Sequence, residues 1–210
     1  MTDFIEIANT LVDRDQDKLI ELVNTSLADN VQAVDILNQG LIPGMDIVGD
    51  KMEDGEMFIP EVLMAAKIMS ECVAILKPLL GEGDSSKGGN IIIGTVKGDL
   101  HDIGKNLVSM MMESAGMDIH NIGVDIGPED FVTHIKGKNA QVVCLSALLT
   151  TTMPMMKQTI DAIVEAGLRD QVKIMVGGAP VTQAFADEIG ADGYATDAGS
   201  AVKLAKTLIN

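Results

Sequence analysis

The sequence has few aromatic residues and few cysteines. It contains no tryptophan, one tyrosine and four phenylalanines, whereas methionine occurs fourteen times. Methionine fills irregular gaps and lets an apolar surface repack against changing neighbours. Of the two cysteines, Cys72 lies in a helical pattern and Cys144 in an apolar, strand-like run. We therefore expect two buried free thiols in a reducing compartment and no structural disulfide.

Basic residues are also in the minority. There are 15 lysines and arginines against 31 acidic residues, which gives a net charge of −16. A surface of that sign repels phosphate backbones and anionic lipids. The N-terminal stretch lacks the basic start and apolar core of a signal peptide, and no apolar run approaches the length of a membrane span. The sequence thus predicts a cytoplasmic protein that has neither nucleic acid nor membrane as a partner.

Hydrophobic residues make up 47% of the 210 residues, which is enough for substantial cores. Over residues 1–80 the apolar positions recur at helical spacing, with the clearest stripe from Leu63 onward. Glycine and proline should kink or break an earlier stripe at Gly40, Pro43 and Gly44. We predict a bundle of about four helices over residues 1–80.

A second domain is predicted after residues 81–89, GEGDSSKGG, which read as a flexible linker. Over residues 90–210, short apolar runs alternate five times with helical stretches. This alternation predicts a Rossmann-like, flavodoxin-like domain, in which helices cover both faces of a doubly wound parallel sheet of five strands.

The candidate site lies at the ends of three of these strands, because open α/β sheets bind ligands beyond the carboxyl ends of their strands. Taken singly, each group of residues there has an ordinary explanation as a helix cap, an exposed side chain or a tight turn. Together they share one edge of the predicted sheet, where a carboxylate, an imidazole and a threonine hydroxyl can meet. The residues are Gly98, Asp99, His101 and Gly104 after the first strand, Ser146 and Thr150 to Thr152 after the third, and Gly177 with Gly178 after the fourth.

A carboxylate that holds one imidazole nitrogen fixes the tautomer and makes the other nitrogen a better metal ligand. One histidine does not complete a protein metal site, and neither His120 nor His134 has suitable spacing to join His101. The metal should therefore arrive already chelated in a haem-like or corrin-like macrocycle. Lys105, which gives the stretch a near miss to a phosphate-binding loop, is expected to be a solvated helix residue.

These motifs resemble those of a known family. DLHDIG (99–104) is similar to the Asp-x-His-x-x-Gly signature of B12-binding domains, SAL (146–148) to their Ser-x-Leu element and GG (177–178) to their paired glycines. Residues 48–69 resemble the helical cap of methyl-carrying corrinoid proteins. The chain thus resembles the corrinoid methyl carriers of anaerobic methyltransferase systems, which are similar to the cobalamin-binding module of methionine synthase.

The resemblance implies roles for individual residues. His101 would be the lower axial ligand of cobalt in a base-off, His-on mode, with Asp99 on its other nitrogen and Thr152 as the third member of the relay. Phe58 would belong to the helical cap and shield the upper face of the corrin. The remaining cofactor contacts would be Asp102, Ile103, Gly104, Ser146, Leu148, Thr150, Gly177 and Gly178.

The implied cofactor is cobalamin or a related corrinoid, which alternates between methylcob(III)alamin and cob(I)alamin. The implied function is that of a methyl carrier, without a catalytic site of its own. A substrate-specific methyltransferase would load the methyl group, and a second would pass it to tetrahydrofolate or coenzyme M. A reductive activase is a further expected partner. Methylamine, methanol, betaine and aryl methyl ethers all stay open as donors.

Three other readings compete with the methyl carrier. The B12-binding subunit of an adenosylcobalamin mutase shares the signature but lacks the helical cap. A B12-dependent sensor or regulator would need an output domain, such as a basic DNA-binding one, and the acidic sequence shows none. A flavodoxin-like interaction domain without a cofactor would leave the clustering of motifs at one sheet edge unexplained.

Overall fold

The computed structural model of the chain describes residues 3–79 and 89–209. The predicted linker over residues 81–89 lies outside the described residues, apart from Gly89. Within the described ranges, no helix is both long enough and apolar enough to cross a membrane. The chain divides into two compact units, which are Met1–Lys87 with Ser114–Gly116 and Gly88–Glu113 with Met117–Asn210.

The first unit is helical. A π-helical segment joins α3 to α4 without a break, so residues 3–79 form four continuous helical stretches, as the sequence predicts. Asp3 and Asp15 begin the first two helices, because their carboxylates accept hydrogen bonds from backbone N–H groups of the first turn. The elements are α1 (Phe4–Val12), α2 (Gln16–Ala28), α3 (Ala33–Asp35), the π-helical segment (Ile36–Leu41), α4 (Ile42–Glu53), α5 (Ile59–Leu76) and a 3-10 turn (Lys77–Leu79).

The predicted break at the glycines and proline of this unit does not occur. Pro43 lies in the first turn of α4, and the chain stays helical through it. The glycines serve close packing: a Cβ on Gly40 would lie 2.8 Å from Cγ2 of Ile7, and one on Gly44 would lie 2.9 Å from the carbonyl oxygen of Ala8. Glycine is therefore required here for the approach of α1 and not for a turn.

The buried stripe of α5 includes Ala66, Met69 and Leu76, as the predicted helical spacing requires, but Leu63, where the stripe was predicted to begin, lies outside it. Val62 is fully buried, whereas Leu63 is 39% exposed. The buried side chains of the helix are Val62, Ala65, Ala66, Ile68, Met69, Cys72 and Leu76. Cys72 and Cys144 are both buried and free, which confirms the expectation of unpaired thiols.

The second unit is an α/β domain in which every strand is followed by a helix. The five predicted pairs of strand and helix are all present. They are β1 (Asn90–Val96), α6 (Ile103–Ser114), β2 (Asp118–Ile126), α7 (Pro128–Lys138), β3 (Val142–Ser146), α8 (Pro154–Glu165), β4 (Lys173–Gly177), α9 (Gln183–Ile189), β5 (Gly193–Ala195) and α10 (Ala198–Ile209).

The five strands form a parallel sheet in the order β2-β1-β3-β4-β5. This is the flavodoxin-like order, in which the winding reverses between β1 and β3. The fold prediction is confirmed. The crevice that such folds use for ligands lies where these two strands end.

Both faces of the central strands β1, β3 and β4 are buried, as a doubly wound sheet requires. On one face, Ile92, Val143 and Ile174 pack in a single core with residues of α7, α8 and α9. The alternate residues Ile91 and Val142 are also fully buried. Because the sheet is held from both sides, its strand ends form a rigid base for the loops that follow β1 and β3.

Candidate functional site

The centre of the site is the carboxylate of Asp99, in the loop between β1 and α6. Asp99 is 0% exposed, and its carboxylate is surrounded by hydrogen-bond donors. Its Oδ1 accepts hydrogen bonds from the His101 ring Nδ1 at 2.6 Å and the His101 backbone N at 3.1 Å. Its Oδ2 accepts from Leu148 N at 2.7 Å, Leu149 N at 3.3 Å and the Thr152 hydroxyl at 2.7 Å. The carboxylate thus joins the ends of β1 and β3.

These hydrogen bonds decide the charge of the group. Burial by itself would raise the pKa of Asp99, but the bonds from the Leu148 amide, the Thr152 hydroxyl and the ring and amide of His101 outweigh burial and hold the pKa below its ordinary value. Asp99 is therefore an ionised, acceptor-only carboxylate at neutral pH.

The imidazole of His101 is oriented by this carboxylate. Because ionised Asp99 can only accept, Nδ1 carries the proton in their hydrogen bond, and the lone pair of neutral imidazole is on Nε2. The His101 side chain is 51% exposed. Its backbone is held as well, since the buried hydroxyl of Thr95 donates to the His101 carbonyl at 2.8 Å. The arrangement presents one basic nitrogen outward on a fixed loop.

The structure selects one of the three consecutive threonines. Thr152 is 6% exposed and its hydroxyl lies 2.7 Å from the Asp99 carboxylate, whereas Thr150 and Thr151 are exposed. The hydroxyl also lies 2.9 Å from the carbonyl of Leu149, but its single proton is better used by the carboxylate. Asp99, His101 and Thr152 thus form the hydrogen-bonded string that the sequence predicts.

The remaining predicted elements lie at the same edge of the sheet. Ser146 and Gly177 are paired in register at the ends of β3 and β4. Gly178 has a φ of +131°, and a Cβ there would lie 1.9 Å from the carbonyl oxygen of Ala147, so only glycine fits. Gly104 in α6 has open space within 4 Å of the position of a Cβ. The strand ends therefore offer bare backbone against which a long ligand can lie.

Exposed apolar side chains surround His101. Leu100 is 71% exposed in the loop and Ile103 is 83% exposed at the start of α6, and Leu148 and Leu149 after β3 are about 40% exposed. Asp102 is also exposed and accepts a hydrogen bond from Asn106 Nδ2 at 3.0 Å. An apolar rim around a nitrogen ligand suits a flat and largely apolar group such as a macrocycle.

The expectation for Lys105 is wrong. Lys105 is 4% exposed, and its Nζ donates to Oδ1 of Asn106 at 2.7 Å and Oδ1 of Asn121 at 2.6 Å. Burial lowers the pKa of this lysine, although nearby Asp102 opposes the effect. The spacing of the sequence gives no sign of this burial, because the side-chain partner from β2 lies sixteen residues away along the chain.

Phe58 belongs to the helical unit and lies directly before α5. Its side chain is 67% exposed, and its backbone N–H donates to the Glu61 carboxylate at 3.0 Å, which begins the helix. Ile59, Leu63 and Met64 nearby are also exposed, by 39 to 55%. Phe58 is therefore not a buried residue of the bundle, the ordinary alternative for this position.

Some residues of the site were not predicted. Leu100 and Leu149 lie beside the motifs, where their apolar character was the available signal. Thr95 is the polar residue in the apolar run of β1, and it binds the loop through the His101 carbonyl. Asp125, at the end of β2, accepts a hydrogen bond from Gly98 N at 2.7 Å. The sequence gives no sign of this contact, because it depends on the irregular pairing of β1 with β2.

The donor set fits a metal that brings its own ring. Within residues 3–79 and 89–209, no three side chains of His, Cys, Asp or Glu are grouped so as to hold a metal ion. A macrocyclic metal needs only an axial ligand, and His101 offers an oriented Nε2 for that position. The apolar rim and the bare backbone at Gly177 and Gly178 provide the matching surface.

Comparison with known proteins identifies the family. Two B12-binding domain families match, one over residues 89–203 and the other over residues 5–77. The chain is 46% identical over 205 residues to the dimethylamine corrinoid protein of Methanosarcina barkeri, which covers 97% of this chain and 96% of that one.

Two solved structures agree with this family. A cobalamin-binding protein from Desulfitobacterium hafniense has a TM-score of 0.87 at 32% identity and covers all of both chains. A chain of the methanol:cobalamin methyltransferase complex from Methanosarcina barkeri has a TM-score of 0.84 at 27% identity, over 97% of this chain and 78% of that one. The predictions of family, fold class and corrinoid cofactor are confirmed. The chain belongs to the B12-binding corrinoid proteins of methyltransferase systems.

Proposed function

We propose that this chain carries a methyl group on the cobalt of a corrinoid that is bound base-off, with His101 Nε2 as the lower axial ligand. The observation that carries the proposal is the buried Asp99 carboxylate, which holds Nδ1 of His101 at 2.6 Å and leaves Nε2 for the metal. When bound, the corrinoid supplies a cobalt that accepts a methyl group from one compound and gives it to another.

The chain's own residues would tune the axial bond. An imidazole whose Nδ1–H is held by a carboxylate is a stronger donor through Nε2. Because Thr152 donates to the same carboxylate, the string can share a proton when the strength of the axial bond changes. The low pKa of Asp99 keeps its carboxylate ionised, so the imidazole is oriented before the cofactor binds.

The strand ends would hold the nucleotide tail of the cofactor. Ser146 and Thr150 supply hydroxyls at the end of β3, and Gly177 with Gly178 exposes backbone at the end of β4. Gly104, Asp102, Ile103 and Leu148 lie around His101 and would contact the ring. We assign to the exposed Phe58 the shielding of the methyl-bearing face.

Two methyltransferases are the proposed partners: one loads the methyl group, and the other passes it to tetrahydrofolate or coenzyme M. A reductive activase is the third proposed partner and would reduce the cobalt again after oxidation. We propose a methylated amine as donor, supported by the likeness to a dimethylamine corrinoid protein over 97% of the chain. A mutase subunit is disfavoured, because that match includes the helical residues.

Reconstitution tests this function. The purified chain is loaded with cobalamin, reduced and mixed with a dimethylamine methyltransferase and dimethylamine, while absorbance is followed. We expect the spectrum to change from the reduced to the methylated corrinoid only when donor and methyltransferase are both present. Methanol with a methanol methyltransferase is the parallel arm. A methanol-only response would overturn the amine donor, and the absence of corrinoid bands after loading would overturn the carrier.

A further inference from the structure

The end of β2 is irregular beside the loop that carries His101. The pairing of β1 with β2 shifts register between Ile93 and Gly94 and again between Gly94 and Val96. Such bulges re-aim side chains and are frequent beside functional sites. Within the irregular segment, Asp125 has a φ of +57°, a left-handed conformation that L-residues other than glycine seldom adopt.

Asp125 makes two reciprocal hydrogen bonds to the His101 loop. Its Oδ1 accepts from Gly98 N at 2.7 Å, and its own backbone N donates to the carbonyl of Asp99 at 3.0 Å. Gly98 is left-handed too, with a φ of +83°. The backbone on both sides of the Asp99 Cα is therefore tied to the same residue of β2.

The loop has a matching attachment on its other side. Thr95, which is fully buried in β1, donates to the carbonyl of His101 at 2.8 Å. The segment from Gly98 to His101 is thus held at its start by β2 and at its end by β1. Between these attachments, the Asp99 side chain makes all of its contacts with His101, Leu148, Leu149 and Thr152.

We infer that Asp125 is a positioning residue for the axial ligand: it fixes the backbone of residues 98–99 so that the Asp99 carboxylate meets the His101 ring and the end of β3 at the same time. The inference rests on the proposed role of His101. Five donors converge on one carboxylate, and such a constellation tolerates displacements of only about 0.5 Å. The left-handed backbone of Asp125 is what directs both its N–H and its carboxylate toward the loop.

The test replaces Asp125 with glycine, which keeps the left-handed backbone and removes the carboxylate. Asn139→Gly is the matched control, because Asn139 is also left-handed, with a φ of +50° at the end of α7. Hydrogen exchange of backbone amides is measured on both apoproteins. The amides of His101 and Leu148 donate to Asp99 and not to Asp125, so they report whether Asp125 acts through Asp99.

In Asp125→Gly we expect the amides of His101 and Leu148 to exchange roughly tenfold faster or more, while Ile92 and Val143 in the core strands keep wild-type protection. Asn139→Gly should leave all four unchanged. A second variant, Asp125→Asn, retains an oxygen acceptor and should fall between glycine and wild type. If only the Gly98 amide loses protection, Asp125 stabilises the backbone at Gly98 without positioning Asp99, and the inference is overturned.

The second arm measures binding of cobalamin and the fraction with a histidine ligand, by absorbance titration. Asp125→Gly should bind about tenfold more weakly than wild type and show a smaller His-ligated fraction. Equal binding and equal spectra would overturn the positioning role. If wild type itself shows no histidine ligation, the proposed function fails, while the exchange data on the apoprotein still decide whether Asp125 positions Asp99.

Discussion

The loop after β1 and the start of α5 both depart from an ordinary globular pattern, and they do so in opposite ways. In the loop, a carboxylate is fully buried and bonded to several donors. At the start of α5, Phe58 is 67% exposed. Hydrogen bonds are directional, so they fix the positions of the side chains before any ligand binds. An exposed apolar surface favours contact with another apolar group but does not determine the geometry of that contact. We propose that the first region holds the cofactor and that the second shields it.

The largest effect is expected for His101→Ala. Loss of the imidazole removes the proposed axial ligand, so the absorbance spectrum of the His-ligated corrinoid should disappear. The apoprotein should still fold, with a loss of about 1 kcal/mol because the ring no longer donates to Asp99. His134→Ala, an exposed histidine of α7, is the matched control. A His-ligated spectrum that survives in His101→Ala would contradict the assignment.

Gly178→Ala should have the next largest effect, and it acts on the backbone at the end of β4. The added Cβ would meet the Ala147 carbonyl oxygen at 1.9 Å and would also strain a φ of +131°. We expect a loss of about 2 to 3 kcal/mol in the free energy of unfolding, measured with urea.

Gly137→Ala is the control for this substitution. It lies within α7, where a Cβ meets nothing within 4 Å, and it should stabilise the protein slightly. Equal free energies of unfolding for the two variants would show that the backbone at the end of β4 can move to accommodate a Cβ.

Asp99→Asn separates charge from shape in the loop. The folded-state pKa of Asp99 lies below its unfolded value of about 3.9, so the carboxylate stabilises the fold above that pH and this contribution is lost as the pH falls through the folded pKa. At pH 7 the substitution should cost about 2 kcal/mol, because charge-assisted hydrogen bonds are lost.

The measurement is urea unfolding of the apoproteins from neutral to acid pH. The difference in stability between wild type and Asp99→Asn should be constant at neutral pH and shrink below about pH 4. Asp170→Asn, which removes an exposed charge after α8, controls for net charge. A difference that stays constant into acid would mean that the ionised carboxylate does not stabilise the fold.

The smallest effect is expected for Phe58→Ala, at the second region. An exposed side chain contributes little to the fold, so the free energy of unfolding should change by less than about 0.5 kcal/mol. Loss of the proposed cover should nevertheless speed the oxidation of the reduced, bound corrinoid by air. Ile5→Ala, which removes a side chain 73% exposed on α1, should leave that oxidation rate unchanged. Equal rates for both variants would remove Phe58 from the site.

The same contrast explains what could be read from the sequence. Asp99, His101 and a threonine hydroxyl were predicted to meet because parallel strands end at one edge, and the family resemblance implied that the threonine is Thr152. The structure brings these three residues within hydrogen-bond distance. Lys105 was missed because its burial depends on Asn121 of β2. Asp125 was missed because its left-handed backbone follows from a bulge that spacing does not reveal.

Within the helical unit, the sequence predicted the helices but not the packing role of a glycine. Gly40 was expected to kink or break its helix, because glycine is unfavourable in helix interiors. In the structure, the side chain of Ile7 packs against Gly40 so closely that a Cβ on residue 40 would clash with it. The spacing of residues along one helix does not reveal which residues of another helix pack against it. Position-specific contacts of this kind therefore need the three-dimensional structure.

The proposed axial ligation is tested most directly by determining whether the lower axial nitrogen on cobalt comes from His101 or from the cofactor's own base. The chain is prepared with ¹⁵N-labelled histidine, loaded with unlabelled cobalamin and examined by electron paramagnetic resonance in the cobalt(II) state. If His101 is the axial ligand, the triplet splitting from ¹⁴N becomes the doublet of ¹⁵N, and His101→Ala removes it. A triplet that persists in the labelled protein would show that the cofactor's own base remains bound, and would contradict the central claim.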